Sequence, residues 1–178
     1  MSVIAFKTPL VLTFIISSLS GCGLTQSVVD GTGSVAKAIL YKQIKTLYLD
    51  FSARASLNTD ETDMTALSVP TMVRVYQLRD GSKLEKATYQ RLLTDGETLL
   101  REDILSWREV VVKPGEGAQL DMPMEKEAKC VAVVGLFRSP DTVKNTWRII
   151  IPREQLDPDS PRVIELGENT LSLKAPKE

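Results

Sequence analysis

Hydrophobic and polar residues alternate in several short runs along the chain, which predicts a protein built mainly of β-strands. From residue 46 the pattern has a period of two, so that one face of the first strand meets a core. The apolar positions of this run are Leu47, Leu49, Phe51, Ala53 and Ala55. Further β-rich runs cover residues 71–78, 107–113, 118–122, 130–138, 146–151, 162–166 and 170–174. About eight short strands, separated by turns rich in Pro, Gly and Asp, favour a β-sandwich.

Two segments depart from the strand pattern. Residues 84–103 carry apolar side chains at mixed spacings of three and four, which predicts one or two short helices interrupted at Asp95-Gly96. Residues 34–40 follow a polar stretch punctuated by Gly and predict a further helix. The predicted fold class is therefore all-β with added helices: a β-sandwich with an N-terminal helix and a short helical insertion between strands.

The start of the chain has the features of a signal peptide. Lys7 is the only charged residue before residue 30, and the apolar run at residues 9–16 is shorter than the roughly 20 residues that span a bilayer. This run leads into Leu19-Ser20-Gly21-Cys22, which resembles the bacterial lipobox, in which the cysteine becomes the acylated first residue of the mature protein. The alternative is a Cys that happens to follow a secretory signal or a core helix.

The lipobox resemblance implies three segments along the chain. Residues 1–21 would be a lipoprotein signal peptide, residues 22–33 a lipidated tether, and residues 34–178 the sandwich domain. Each buried methylene of an acyl chain contributes about 0.8 kcal/mol, so three chains on Cys22 would hold the protein at a membrane permanently. In Gram-negative lipoproteins Asp after the acylated Cys signals retention in the inner membrane. Gly23 stands here instead, which implies the outer membrane, with the domain facing the periplasm.

Composition excludes several classes of function. The chain has no His, which removes Ser-His-Asp and Cys-His catalysis and zinc sites with His ligands. Its 22 Lys and Arg residues against 23 Asp and Glu residues give no basic field to attract nucleic acid. We therefore expect neither an enzyme nor a metal or cofactor site, and no nucleic-acid partner.

A few residues have an alternative chemical interpretation. Cys130 lies in an apolar run and is predicted to be a buried, inert thiol without a disulfide partner. Trp107 and Trp147, each at the start of a predicted strand, are interpreted as core or rim residues. A carbohydrate- or peptidoglycan-binding lipoprotein is the alternative if they line an exposed concave face. A carboxylate-based hydrolase using Asp157 and Asp159 is less favoured, because their Pro-rich segment predicts a rigid turn.

The connection between the first two predicted strands, residues 56–70, is unusually long. A hairpin needs two to five residues, and longer loops in compact domains tend to be functional or disordered. The connection contains three carboxylates and no Lys or Arg, together with the apolar residues Met64 and Leu67. This composition suits docking on a partner with a basic patch, whereas a solvated flexible loop is the alternative.

Several short motifs follow one another over nearly the whole mature chain. They are Leu57-Asn58 with the long loop, the Pro-led strand Val69-Pro70-Thr71-Met72-Val73-Arg74-Val75-Tyr76-Gln77-Leu78, the helical residues Tyr89, Leu92-Leu93 and Asp103, then Lys113-Pro114-Gly115, Val133-Val134-Gly135-Leu136-Phe137-Arg138 and Trp147-Arg148. With the lipobox, their order and spacing resemble the type VI secretion outer-membrane lipoprotein family (TssJ, also called VasD).

This family resemblance implies a transthyretin-like two-sheet sandwich with extra helices. It also implies a structural role in the trans-envelope complex, in which the partner is the C-terminal periplasmic part of an inner-membrane IcmF-like protein. In the family, the loop between the first two strands contacts this partner. The corresponding residues here are Asn58, Thr59, Asp60, Glu61, Thr62, Asp63, Met64 and Leu67.

Overall fold

The computed structural model describes residues 44–60 and 67–175. Within them, the strands are β1 Thr46–Leu57, β2 Thr71–Leu78, β3 Ile104–Val112, β4 Gly117–Pro123, β5 Cys130–Leu136, β6 Arg148–Pro152, β7 Arg162–Glu168 and β8 Thr170–Leu173. The helices are α1 Ser82–Lys86 and α2 Tyr89–Leu100, and a 3-10 helix covers Arg153–Gln155. The segments predicted to be a signal peptide, a tether with Cys22 and an N-terminal helix lie outside the described residues.

The eight strands form two four-stranded sheets, as predicted for a sandwich. The first sheet has the order β4-β1-β7-β8 and the second has the order β3-β2-β5-β6. Neighbouring strands are antiparallel except for β1 and β7, which run parallel. The predicted hairpin near the C-terminus is the β7–β8 pair. The parallel pair means that β1 and β7 both end at the same edge of the first sheet.

The core lies between the two sheets and follows the predicted alternation. Leu47, Leu49 and Phe51 of β1 are buried, and Ile164 of β7 shares their face. The prediction was wrong for Ala55, which is exposed. The pairing of β1 with β7 shifts register after Ala53, so the strict alternation does not extend to the end of the strand.

The two helices cover the outer face of the second sheet, which explains why β5 is an unbroken apolar run. A strand that is buried on both faces loses the polar half of the alternation. The predicted interruption at Asp95-Gly96 is confirmed, because Asp95 has non-helical dihedral angles within α2 (φ −130°, ψ 24°). Gly96 lets α2 approach the sheet closely, since a β-carbon there would come within 3.3 Å of the Tyr76 hydroxyl.

Some element boundaries differ from the sequence prediction. Trp107 lies in the middle of β3 and pairs with Tyr76, because the strand begins three residues earlier than predicted. Trp147 precedes β6 instead of starting it. Neither helix in the described part of the chain has the length and apolar character needed to cross a bilayer.

Candidate partner-docking surface

Asn58 fixes the start of the β1–β2 connection. Its backbone is left-handed (φ 51°), a conformation that Asn adopts more readily than most residues, and its side chain is only 3% exposed. The side-chain oxygen accepts a hydrogen bond from the backbone N–H of Arg138 (2.7 Å), and the side-chain nitrogen donates to the carbonyl of Pro70 (3.3 Å). Its own N–H donates to the carbonyl of Glu168. Asn58 therefore ties together both ends of the connection and two other loops.

The connection also closes on itself. Val69 donates its N–H to the carbonyl of Leu57 (3.1 Å), and the N–H of Leu57 donates to the hydroxyl of Ser68 (3.3 Å). The β1–β2 connection also crosses between sheets, because β1 and β2 lie in different sheets. A connection between two sheets cannot be a tight hairpin. The length of this connection is therefore explained in part by the fold and is weaker evidence for function than it is in a hairpin.

The residues that follow Asn58 are held by neighbouring loops. The carbonyl of Thr59 accepts a hydrogen bond from the side-chain nitrogen of Asn169 (2.8 Å). The carboxylate of Asp60 forms an ion pair with the guanidinium of Arg138 (3.5 Å). Thr59 and Asp60 are both half-buried, so the first part of the predicted contact segment is ordered by contacts within the domain.

Leu67 is the predicted contact residue that the described structure leaves most open to solvent, with 61% of its surface exposed. Leu67 directly precedes Ser68 and Val69. The hydrogen bonds of these two residues to Leu57 hold the backbone close to the end of β1. The remaining predicted contact residues lie outside the described part of the chain; they are Glu61, Thr62, Asp63 and Met64.

The β5–β6 loop, which contacts the β1–β2 connection through Arg138, carries a second exposed aliphatic side chain that the sequence pattern did not predict. Val143 is 90% exposed. The carboxylate of Asp141 accepts hydrogen bonds from the N–H groups of Val143 (3.0 Å) and Lys144 (2.8 Å), which fixes the turn. A lone Val in the polar run that follows Pro140 was the available signal, but a turn prediction does not say which way a side chain points.

The base of the β5–β6 loop is held from two sides. Leu171 of β8 donates its N–H to the carbonyl of Thr146 (2.7 Å). The hydroxyl of Tyr89, at the start of α2, donates to the carbonyl of Phe137 (2.6 Å). Burial raises the pKa of Tyr89, which keeps this hydroxyl protonated and able to donate. The loop is thus anchored to both sheets and to the helical layer.

We call residues 58–60, 67–70, 138–147 and 168–169 the loop end. In the loop end, hydrogen bonds hold each loop at its base. Two aliphatic side chains, Leu67 and Val143, are exposed to solvent, and the loops that carry them also contain charged residues. The charged residues of the loop end are Asp60, Arg138, Asp141, Lys144 and Glu168. Apolar contacts inside a polar rim are the usual composition of a protein–protein interface.

Cys130 behaves as predicted. The thiol is free and buried, and burial raises its pKa to about 11. A thiol with such a high pKa is almost entirely protonated at neutral pH, which makes it a poor nucleophile. Cys130 therefore belongs to the core, apart from the loop end.

The residues that could have supported another function have structural roles. Trp147 is fully buried and packs edge-on against Tyr89 (5.2 Å between ring centroids). It therefore cannot line an exposed sugar-binding face. The backbone N–H of Asp159 donates to the carboxylate of Asp157 (2.8 Å), as expected for the predicted rigid turn.

Comparison with known proteins connects this fold to one family. The family model described as "Type VI secretion lipoprotein, VasD, EvfM, TssJ" matches residues 45–169, about 70% of the chain. No curated protein matches. A chain of the solved structure described as "Type VI membrane complex" is 40% identical, with a TM-score of 0.70, over 74% of this chain and 99% of that chain.

Two further solved structures are similar. A chain of "T6SS protein TssM C-terminal domain (869-1107) from EAEC" is 39% identical, with a TM-score of 0.67, over 74% of this chain and 99% of that chain. The Serratia marcescens protein Lip, described as a membrane bound component of the type VI secretion system, is 23% identical, with a TM-score of 0.65, over 75% of this chain and 99% of that chain. The likeness to Lip concerns the fold alone.

Proposed function

We propose, from the premise that this chain belongs to the type VI secretion lipoprotein family, that it is a structural link between the two membranes of the cell envelope. In this proposal the domain is anchored to the outer membrane. Its loop end docks on the C-terminal periplasmic domain of an IcmF-like inner-membrane protein of the TssM type. The role is mechanical and requires no catalytic group.

The choice of partner is supported by the lengths of the aligned chains. The aligned 74% of this chain is about 132 residues and covers 99% of the matched chain in the EAEC structure. The TssM domain named for that structure, 869–1107, comprises 239 residues. We infer that the matched chain is too short to be that domain and is a lipoprotein-like chain that accompanies it.

The anchor is assigned from the start of the sequence. Residues 1–21 would be removed as a signal peptide, Cys22 would carry the acyl chains, and residues 22–33 would connect them to the domain at 34–178. Gly23 in place of Asp supports the outer membrane as the destination.

One observation carries the choice of docking surface: Leu67 and Val143 are exposed on loops whose bases are fixed by hydrogen bonds. A preordered surface loses little conformational freedom on binding, and burying an exposed aliphatic side chain at an interface removes apolar surface from water. Asn58 positions the β1–β2 and β5–β6 loops through its hydrogen bonds to Pro70 and Arg138. The acidic residues Glu61 and Asp63 would face basic groups of the partner.

The experiment measures the affinity of the full-length chain in detergent for the partner's C-terminal periplasmic domain. We expect Leu67→Asp and Val143→Asp each to weaken binding at least about tenfold, because each buries an unpaired charge in an apolar contact. Leu93→Asp is the matched control, since Leu93 is an exposed aliphatic residue on α2, and its affinity should stay within about twofold of wild type. Unchanged affinity for both loop-end variants would contradict the proposed surface.

A further inference from the structure

Among residues 44–60 and 67–175, four residues have a left-handed backbone, and three of them lie in the loop end. Gly115 (φ 71°) lies between β3 and β4, whereas Asn58 (φ 51°), Asn145 (φ 55°) and Glu168 (φ 50°) belong to the loop end. Gly and Asn are the residues that adopt this conformation most readily. Glu168 is the exception among the four, because its β-carbon crowds the backbone and its long side chain does not offer the local hydrogen bond that Asn can make.

The turn between β7 and β8 imposes this backbone conformation on Glu168. Gly167 pairs with Thr170, so only Glu168 and Asn169 join the two strands. Two-residue turns between antiparallel strands take positive φ at one or both central positions, which is why Gly and Asn dominate them. The turn therefore explains the backbone of Glu168 but not its side chain, since Gly or Asn would form the same turn with less strain.

The β7–β8 turn is fixed against the β1–β2 connection. The carbonyl of Glu168 accepts a hydrogen bond from the N–H of Asn58, and the side-chain nitrogen of Asn169 donates to the carbonyl of Thr59 (2.8 Å). In the register of the first sheet, Leu57 is the partner of Glu168. The backbone of Glu168 is therefore held beside the start of the predicted contact segment.

The side chain of Glu168 points to a use outside the domain. It is exposed, and within the described ranges its carboxylate forms no ion pair. Asp60, on the neighbouring connection, pairs with Arg138 (3.5 Å). An exposed carboxylate without a partner is common on protein surfaces, but a strained backbone beneath it is not. Strained residues cluster at binding and switch sites, so the strain at Glu168 indicates a functional demand on its side chain.

The neighbouring connection indicates which charge a partner must carry. Residues 58–70 contain Asp60, Glu61 and Asp63 and no Lys or Arg. Glu168 places a further carboxylate beside the start of this segment. Because charged groups across an interface are arranged with opposite signs facing one another, this side of the loop end is complementary to a basic patch.

We propose that Glu168 is a specificity-determining residue of the docking surface and that its carboxylate pairs with a Lys or Arg side chain of the TssM-type periplasmic domain. This inference rests on the proposed docking function and gives the β7–β8 turn a direct contact with the partner. The pair lies at the rim of the interface. A rim charge speeds association and disfavours partners of the wrong sign more than it raises the final affinity.

The test measures the rate at which the full-length chain in detergent associates with the partner domain at two salt concentrations. At about 50 mM NaCl, Glu168→Gln should associate at least about threefold more slowly than wild type, because Gln keeps the shape of the side chain without its charge. At about 0.5 M NaCl, where the Debye length is about 4 Å, the two rates should agree within about 1.5-fold. Glu97→Gln is the matched control, since it removes an exposed carboxylate on α2, and it should associate as fast as wild type at both concentrations.

Glu168→Asn tests the strain without the partner. Because Asn adopts the left-handed conformation more readily than Glu, this variant should unfold about 2 °C higher than wild type, and at low salt it should associate as slowly as Glu168→Gln. A gain in stability that accompanies a loss of binding is the result expected for a residue retained for function. An unfolding temperature at or below that of wild type would remove the strain and overturn the proposal.

The association rates distinguish the remaining outcomes. A wild-type rate for Glu168→Gln at low salt, or an equal slowing at both salt concentrations, would overturn the ion pair. If Leu67→Asp and Val143→Asp weaken binding while Glu168→Gln matches wild type, the docking surface stands and the assignment of Glu168 is wrong. If the wild-type chain does not bind the TssM-type domain, the proposed function fails and the assignment of Glu168 fails with it.

Discussion

At the scale of single residues, Asn58 shows how one side chain can organise a surface without being part of it. Its amide satisfies the N–H of Arg138 and the carbonyl of Pro70, and its backbone takes the left-handed conformation needed at the end of β1. By sequence alone Asn58 belongs with the predicted contact residues, because it lies in the same loop. Its burial gives it a positioning role in the proposed docking surface.

Two replacements of Asn58 separate the contribution of its side-chain hydrogen bonds from that of its left-handed backbone conformation. Asn58→Ala loses both amide bonds, leaves the N–H of Arg138 without its acceptor and removes the side chain that lets Asn adopt positive φ more readily than Ala, so the free energy of unfolding should fall by about 3 kcal/mol. Asn58→Gly loses the same bonds but tolerates the backbone, and should be about 1 kcal/mol more stable than the Ala variant. Urea denaturation monitored by fluorescence measures both values. Equal stability of Asn58→Ala and wild type would contradict the assigned role.

The buried thiol of Cys130 makes a prediction about reactivity and pH. Burial raises its pKa from 9.0 to about 11, so in a Cys22→Ser background the native thiol should react with a disulfide reagent at pH 8 about 100-fold more slowly than the unfolded chain. The proton is held more tightly in the folded state, so the contribution of Cys130 to stability is intact below pH 9 and is lost as the pH rises towards 11. The wild-type protein should therefore lose more stability than Cys130→Ala between pH 8 and pH 10.5. Equal labelling rates in the folded and unfolded protein would show that the thiol is accessible.

At the scale of elements, Arg148 at the start of β6 fixes the helical layer to the second sheet. Its guanidinium donates to the carbonyls of Leu84 (2.7 Å) and Ala87 (2.7 Å) at the end of α1, and it stacks on the ring of Trp147 at 4.6 Å. A cation at the C-terminus of a helix satisfies free carbonyls and opposes the negative end of the helix dipole. A helix of five residues has little stability of its own, so α1 depends on this contact.

We therefore expect Arg148→Lys to lower the free energy of unfolding by about 2 kcal/mol, because Lys keeps the charge but cannot reproduce the planar fork or the stacking. Arg108→Lys is the matched control on an exposed residue and should change stability by less than about 0.5 kcal/mol. Thermal unfolding of the three proteins compares these values. Equal losses of stability in Arg148→Lys and Arg108→Lys would contradict the capping role of Arg148.

The element scale also shows what sequence can predict. The period of two in β1, the apolar run of β5 and the interruption at Asp95-Gly96 are local signals, and each corresponds to an observed element. The crossing of the β1–β2 connection between sheets, the parallel pairing of β1 with β7 and the exposure of Val143 depend on contacts far apart in sequence. Local periodicity contains no information about these contacts. For the same reason the docking loop could be proposed from composition, whereas its second aliphatic side chain could not.

At the scale of the whole molecule, the proposed anchor and the proposed docking surface are separate parts of the chain. Cys22→Ser removes the acyl chains and should move the protein from the membrane fraction to the soluble periplasmic fraction. Its affinity for the TssM-type domain should be unchanged, because the loop end does not include the anchor. Fractionation of cells that express each form measures the first effect. A Cys22→Ser protein that stays with the membranes would contradict the lipid anchor.

Hydrogen exchange of the full-length chain in detergent, with and without the TssM-type periplasmic domain, shows directly whether the partner binds at the loop end. We expect exchange to slow in peptides covering residues 58–70 and 138–147, where the β1–β2 and β5–β6 loops carry Leu67 and Val143. Exchange in the middle of α2 should stay unchanged. Slower exchange across α1 and α2 or at residues 153–161, with the loop end unaffected, would place the docking surface elsewhere on the domain and contradict the proposal.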